Sequence, residues 1–191
     1  MGNYETLKNI CVERKSCRNF SDQEISSSDI QKILDIAYTS PYASSRKNWE
    51  IQVINEKEIL YQMGQSVENR VLEINKEMKE DYKNSFTQYC KNFTFFTKAP
   101  VVFVLTFRSA PSVSFMLENQ LNSEIMQWEK DSFTKSISCV AMLILLAAQS
   151  LGLGACFMTG PLIAEHEILK IIKAKQGRNI GAIIPIGYKN R

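Results

Sequence analysis

The sequence predicts an α+β domain, with helices packed on a central, mainly antiparallel or mixed sheet, and three observations predict it. Ser26 to Tyr38 reads as a capped amphipathic helix, Val101 to Leu105 as a strand without polar alternation, and Cys139 to Ala148 as a helix apolar on every side. The strand-like segments stand too far apart for hairpins, so helices must lie between sheet neighbours in the chain. At 191 residues the chain has the length of one domain, taken as 1–191. Its 23 basic and 20 acidic residues leave a net charge of +3, too little to argue for a nucleic-acid partner.

The elements follow in order. Glu13-Arg14-Lys15-Ser16-Cys17-Arg18-Asn19-Phe20 sets three cations at a helix end that runs into a short extended segment. Ser26 and Asp29 form an S-x-x-D cap, with Ile25 able to staple onto Ile30. Ile30, Ile33, Leu34, Ala37 and Tyr38 then mark one helical stripe, which Pro41 stops. A polar loop of small residues from Tyr42 leads to Trp49 and a strand over Glu50–Ile54. Asn55 with Glu58 caps a long mixed-charge helix reaching toward Lys83, with room for a break. Ser85–Lys98, rich in Phe and Thr, and Ser112–Gln127 show no clear period.

Val101–Leu105 suits a central strand covered on both faces. From Ser132 a helix builds into the apolar run, with Cys139 in the core, and Gly152 and Gly154 end it. Ile163–Lys175 forms another helix with Glu165 and Glu167 at its start and Lys170, Lys173 and Lys175 toward its end. Ala182–Ile186 closes the chain as a strand, with Pro185 expected at an edge or bulge. Trp49 and Trp128 are expected to pack in the interior.

Composition also excludes chemistries. Five cysteines without C-x-x-C spacing read as reduced thiols, and no signal-like apolar segment opens the chain, so a cytoplasmic protein is expected. Cys139–Ala148 falls well short of the ~20 residues a bilayer span needs, so no membrane role is expected. The one histidine, His166, sits between two glutamates as a surface residue. No metal site is expected, and any difficult chemistry must come from a cofactor. Gly152-Leu153-Gly154 follows a helix and has Phe157 where a third glycine would fall, so it is no dinucleotide fingerprint.

What remains is a basic cluster at Arg14, Lys15 and Arg18, a basic pair at Lys189 and Arg191, and the glycine-flanked segment Gly154–Gly160. Cations hold phosphate through charge-assisted hydrogen bonds, and small residues let backbone N–H groups approach a flat polar ring. On their own these features reach only an α+β domain suited to a phosphate-bearing ligand.

Four landmarks go further. Glu13–Phe20 resembles the R-R-S-x-R-x-F opening of the nitroreductase family. Ser40–Trp49 resembles its S-P-S-A-x-N-x-Q-P-W loop, Ala148–Gly160 its A-x-x-L-G-L-G-x-x-x-x-x-G segment, and Ile184–Tyr188 its closing I-x-x-G-Y strand. The resemblance implies a nitroreductase-like fold, homodimeric, with FMN held between the two chains. Arg14, Lys15, Ser16 and Arg18 would then hold the phosphate, ribityl chain and pyrimidine edge, with Lys189 and Arg191 completing the phosphate site. Thr159 and Gly160 would offer backbone N–H groups to the flavin, and Tyr42, Ala43, Ser44 and Ser45 would approach it from the partner. Ser45, Lys47 and Asn48 replace the Asn, Gln and Pro of the family loop.

The implied activity is oxidoreduction: hydride from NAD(P)H to flavin, then to a flat electron-poor nitroaromatic or quinone, in a ping-pong cycle. Arg18, or Lys15, would be the catalytic cation that favours the negative charge of the reduced pyrimidine edge. The altered loop keeps a second reading open, a flavin-binding protein without reductase turnover that uses flavin as substrate or signal.

Overall fold

Ser26 turns its side-chain oxygen to the Asp29 N–H at 3.1 Å, and the helix the sequence predicts starts there. The computed structural model describes residues 2–42, 48–108, 116 and 123–190. Its first helix, α1 (Asn3–Glu13), buries none of its side chains, whereas α2 (Ser27–Ala37) buries Ile33 and Ala37. Strand β1 (Trp49–Ile54) precedes α3 (Lys57–Glu77) and α4 (Glu80–Cys90), so the long mixed-charge helix is indeed broken, at Met78-Lys79. Asn55 is not its cap: the residue at that position is Glu56, without a side-chain bond to the helix end.

Strand β2 (Val101–Phe107) is buried along its whole length, as its lack of alternation predicts. It lies between β1 and β4 (Asn179–Gly187), with the two-residue β3 (Gly154–Ala155) at the far edge, in the order β1-β2-β4-β3. Every pairing among these four strands is antiparallel, with Val53 opposite Phe103 and Phe103 opposite Ile184. Alternate side chains divide between two cores. Phe103, Leu105 and Ile184 join α2 and α5 (Ser123–Ser150), while Val102, Val104 and Ile183 join α3 and α6 (Glu165–Ile171).

Pro185 lies inside the sheet rather than at an edge. Its carbonyl accepts the Cys156 N–H at 3.3 Å, and that is the single bond of a pair that would otherwise exchange two. The pairing resumes at Met158 and Ile183, which exchange both bonds at 3.0 Å, so the missing donor interrupts the ladder just where the two-residue β3 ends.

Helix α5 corrects two expectations. It begins earlier than Ser132, and it is not buried all round: Cys139 is exposed and Met142 is 49% exposed. The sheet covers one side of the helix and α2 another, which leaves the stripe at Cys139 and Met142 open. By length and composition α5 could cross a membrane, yet Val140, Ala141, Ile144, Leu145 and Ala148 pack on the sheet as a core helix. Trp128 points outward at 60% exposure, while Trp49 is core as expected.

The last helix is shorter than the predicted Ile163–Lys175. A 3-10 turn (Gly160–Ala164) leads into α6, and the chain leaves helical geometry before Lys173, whose φ is +51°. Lys173 and Lys175 therefore lie beyond the helix end.

Candidate functional site

Arg14 leaves helical geometry at ψ 111°, which ends α1 and sends the chain out extended along the sheet edge. Ser16 pairs in parallel with Ala155, and the Cys17 N–H donates to the Ala155 carbonyl at 3.0 Å. Phe20 then pairs antiparallel with Lys189, where the Ser21 N–H donates to the Tyr188 carbonyl at 2.9 Å. The Asn190 N–H returns a bond to the Asn19 carbonyl at 3.2 Å. The two ends of the polypeptide thus lie side by side against β3.

This brings the segment that carries Arg14, Lys15 and Arg18 beside the one that carries Lys189. Arg14 is half-buried, and Lys15, Ser16 and Arg18 are exposed. Lys189 crosses Gly154, where a β carbon would stand 3.0 Å from its Cγ, and its Nζ donates to Gln149 Oε1 at 3.0 Å. Among the described residues, none of Arg14, Lys15, Arg18 and Lys189 pairs with a carboxylate. Unpaired cations gathered on one edge are the arrangement an anion needs. Burial pushes the Cys156 thiol up, while the Ser16 hydroxyl, Arg18 and Arg14 around it pull the other way. Arg18 also borders a cavity of about 640 Å³ with Asn19, Asp22, Lys57 and Lys98.

From Ala155 the chain runs on beside β4, with Met158 paired to Ile183, to Thr159 and Gly160. Four extended residues span about 13 Å, so an elongated ligand could have its phosphate at one end and a flat ring at the other. Gly160 carries Phe93 directly against it: a β carbon there would stand 2.5 Å from the ring. Phe93 is the neighbour of this segment that the sequence did not single out. It lies in the aperiodic Phe/Thr-rich segment, just past α4, where its N–H donates to the Cys90 carbonyl at 2.9 Å. Tyr89 meets it edge-on at 5.4 Å.

Tyr42 does not join this cluster within one chain. Its ring lies 6.1 Å from Trp49 and 6.0 Å from Phe133, in the core on the other face of the sheet. Ala43, Ser44, Ser45 and Arg191 lie outside the described residues. The Tyr42 hydroxyl is buried with no partner among the described residues, and burial pushes its pKa up to about 12. A raised pKa keeps its stabilising effect below the unfolded value and loses it as pH climbs. The melting temperature should therefore fall as pH passes from 10 toward 12, and Tyr42→Phe should flatten that part of the profile. A Tyr42→Phe curve that follows the parent through this range would show the hydroxyl to be solvated.

His166 is the exposed residue expected, bordering a groove of about 910 Å³ between α3 and α6 with Tyr61, Arg70 and Lys170. That groove holds none of the nominated residues. Glu165, at the start of α6, ties that helix to β4: its carboxylate accepts the Ile180 N–H at 2.5 Å.

The chain is similar to known proteins over most of its length. The family model described as "Nitroreductase family" matches residues 11–188. A protein of Archaeoglobus fulgidus named "Putative NADH dehydrogenase/NAD(P)H nitroreductase" is 39% identical over 62 residues, 32% of this chain and 35% of that protein. The "Iodotyrosine dehalogenase 1 homolog" of Caenorhabditis elegans is 24% identical over 97% of this chain and 54% of its own. The chain thus spans about a third to a half of these two relatives. Among solved structures, a BluB-like flavoprotein of Clostridium difficile 630 superposes with a TM-score of 0.84, at 24% identity over 96% of this chain and 90% of that one. A nitroreductase with bound FMN from Desulfitobacterium hafniense DCB-2 gives 0.74 at 20% identity, over 100% and 92%. At these identities the structures establish the fold.

Proposed function

The chain belongs to the nitroreductase family, and on that premise we propose that it is an FMN-dependent oxidoreductase that takes reducing equivalents from NAD(P)H. The observation that carries this reading is the meeting of unpaired cations from both ends of the chain beside Gly154–Gly160. The FMN bound in the Desulfitobacterium hafniense structure and the name of the Archaeoglobus fulgidus relative support it.

When bound, FMN supplies hydride transfer between NAD(P)H and a flat electron-poor acceptor, a nitroaromatic or quinone. Arg14, Lys15 and Ser16 hold the phosphate and ribityl chain, and Lys189 with Arg191 completes the phosphate site. Arg18 sets a fixed positive charge at the pyrimidine edge, where a preorganised cation favours negative charge without solvent rearrangement. Thr159 and Gly160 present backbone N–H groups to the ring, and Phe93 closes the far side of Gly160. Tyr42, Ala43, Ser44 and Ser45 approach from the second chain of a homodimer in the cytoplasm. No protein nucleophile is needed, in keeping with a surface His166.

The test is steady-state oxidation of NADPH and of NADH by FMN-loaded protein, with nitrofurazone or menadione as acceptor. Turnover with either coenzyme is expected, in a particle that sediments as a dimer. Bound FMN without turnover would favour the second reading, a flavin-binding protein that uses flavin as substrate or signal, which the altered Ser45, Lys47 and Asn48 motivate. Iodotyrosine in the acceptor panel tests whether the activity named for the Caenorhabditis elegans relative extends to this chain.

A further inference from the structure

Cys17 and Cys156 are thiols to which the proposed activity gives no task. Ser16 pairs in parallel with Ala155, and the Cys17 N–H donates to the Ala155 carbonyl at 3.0 Å, which brings the Cys17 backbone beside the Ala155–Cys156 peptide. Strands lie about 4.8 Å apart, within the Cα separation of roughly 4.4–6.8 Å that a disulfide spans. The side chains share a face as well. Ala155 enters the core with α2 and α5, Cys156 enters the opposite one, and Cys17 packs against that same opposite core.

Cys17 Cβ and Sγ both lie 2.7 Å from where a β carbon on Gly154 would stand, so the Cys17 sulfur rests over the bare Gly154. Cys156 follows two residues on, about 6.6 Å along the same side of the strand, and the Cys17 side chain must swing toward it to close. Nearby Cys17 adds to the rise of the Cys156 thiol. Both cysteines are free; Cys17 Sγ donates to the Asn19 carbonyl at 3.2 Å. Cys17 is half-buried and within reach of solvent, and Cys156 is 4% exposed behind it.

We propose that Cys17 and Cys156 form a reversible dithiol–disulfide site, closed by hydrogen peroxide and reopened by a thiol reductant. The Cys17 sulfur, as thiolate, attacks one peroxide oxygen and the O–O bond breaks. Cys17 becomes a sulfenic acid, and the departing hydroxide takes up a proton to leave as water. The Cys156 sulfur then forms the S–S bond as the Cys17 S–O bond breaks, releasing a second water. Two thiols lose two electrons in all, and one peroxide is reduced to two waters. Closure draws the Cys17 sulfur off the Asn19 carbonyl and shifts its neighbours Ser16 and Arg18. The consequence for cofactor affinity rests on the proposed flavin reading; the disulfide does not.

The experiment treats the full chain with hydrogen peroxide, counts thiols after denaturation, and maps cross-linked peptides by mass spectrometry. Two of the five thiols should disappear into a Cys17–Cys156 cross-link, and dithiothreitol should restore both. Cys156→Ser should leave a Cys17 sulfenic acid that dimedone traps, and Cys17→Ser should leave Cys156 a free thiol. Should Cys156→Ser not fold, the half-exposed Cys17→Ser and the parent peptide map decide. Retention of both thiols at peroxide doses that oxidise the exposed Cys11 and Cys139 would overturn the site. So would cross-linking of Cys17 to any other cysteine.

FMN titration separates the two claims. The oxidised chain should bind FMN about tenfold more weakly, the loss of roughly one charge-assisted contact. Equal affinity of both forms would overturn the coupling. A reduced chain that binds no FMN would overturn the flavin reading while leaving the peptide map to judge the disulfide.

Discussion

Replacing Arg14 and Arg18 together by alanine is expected to weaken FMN binding by about 10²- to 10⁴-fold. Each charge-assisted hydrogen bond to a phosphate or polar edge contributes roughly 1.5–3 kcal/mol, and tenfold in affinity corresponds to about 1.4 kcal/mol. Both guanidinium groups lie near enough to Cys156 to draw its thiol pKa down against the effect of burial, so one ligand reaching that thiol could meet both. Their loss should leave the fold intact for two reasons. Helix α1 buries no side chain, and among the described residues neither arginine has a carboxylate partner that would be left unpaired. Quenching of flavin fluorescence reads the affinity, and the melting temperature and far-ultraviolet circular dichroism report the fold. Parental affinity in the double variant would mean that the phosphate is held elsewhere. A structural role would instead lower the melting temperature along with the affinity.

The nominated residues on the sheet edge were legible only in part from local pattern. Ser26 announced α2 because a cap acts within one turn, and Val101–Leu105 announced β2 because burial on both faces removes alternation. The approach of Phe20 to Lys189 has no local signature, as it joins residues at opposite ends of the chain. The family resemblance, not periodicity, put those cations together.

Other misses have physical causes of the same kind. Cys139 and Met142 are apolar enough for a core, and a uniformly apolar helix does not mark which side its neighbours leave open. Lys173 lies past the end of α6 because the chain turns through a positive φ that no glycine there advertises. Phe93 belongs to a segment without helical or strand period, and what fixes it is contact with Gly160, many residues away. Pro185 lies within its strand and not at an edge, because the chain beside it tolerates one missing bond at Cys156 and pairs again at Met158.

Phe103→Ala should lower the folding free energy by about 3–5 kcal/mol, a large part of the roughly 5–15 kcal/mol that holds a domain together. Phe103 is 0% exposed at the centre of β2, with Val53 and Ile184 beside it and α5 above. Its neighbours are fixed by the ladder on either side, so the cavity cannot close by sliding one strand. Met142, 49% exposed on the outer side of the same helix, gives the contrast: Met142→Ala should stay within about 0.5 kcal/mol of the parent. Urea unfolding at constant slope measures both. A change under about 1 kcal/mol for Phe103→Ala would mean that β2 is not the packed centre of the sheet. Its side chain faces the core opposite to Cys156 and Phe93, so below the unfolding transition the variant should keep its FMN affinity. That separation matters because β4 lies between β2 and the cationic edge. If affinity falls before the protein unfolds, strain in β2 is reaching Lys189 through β4, and the site depends on the core more closely than their separate faces imply.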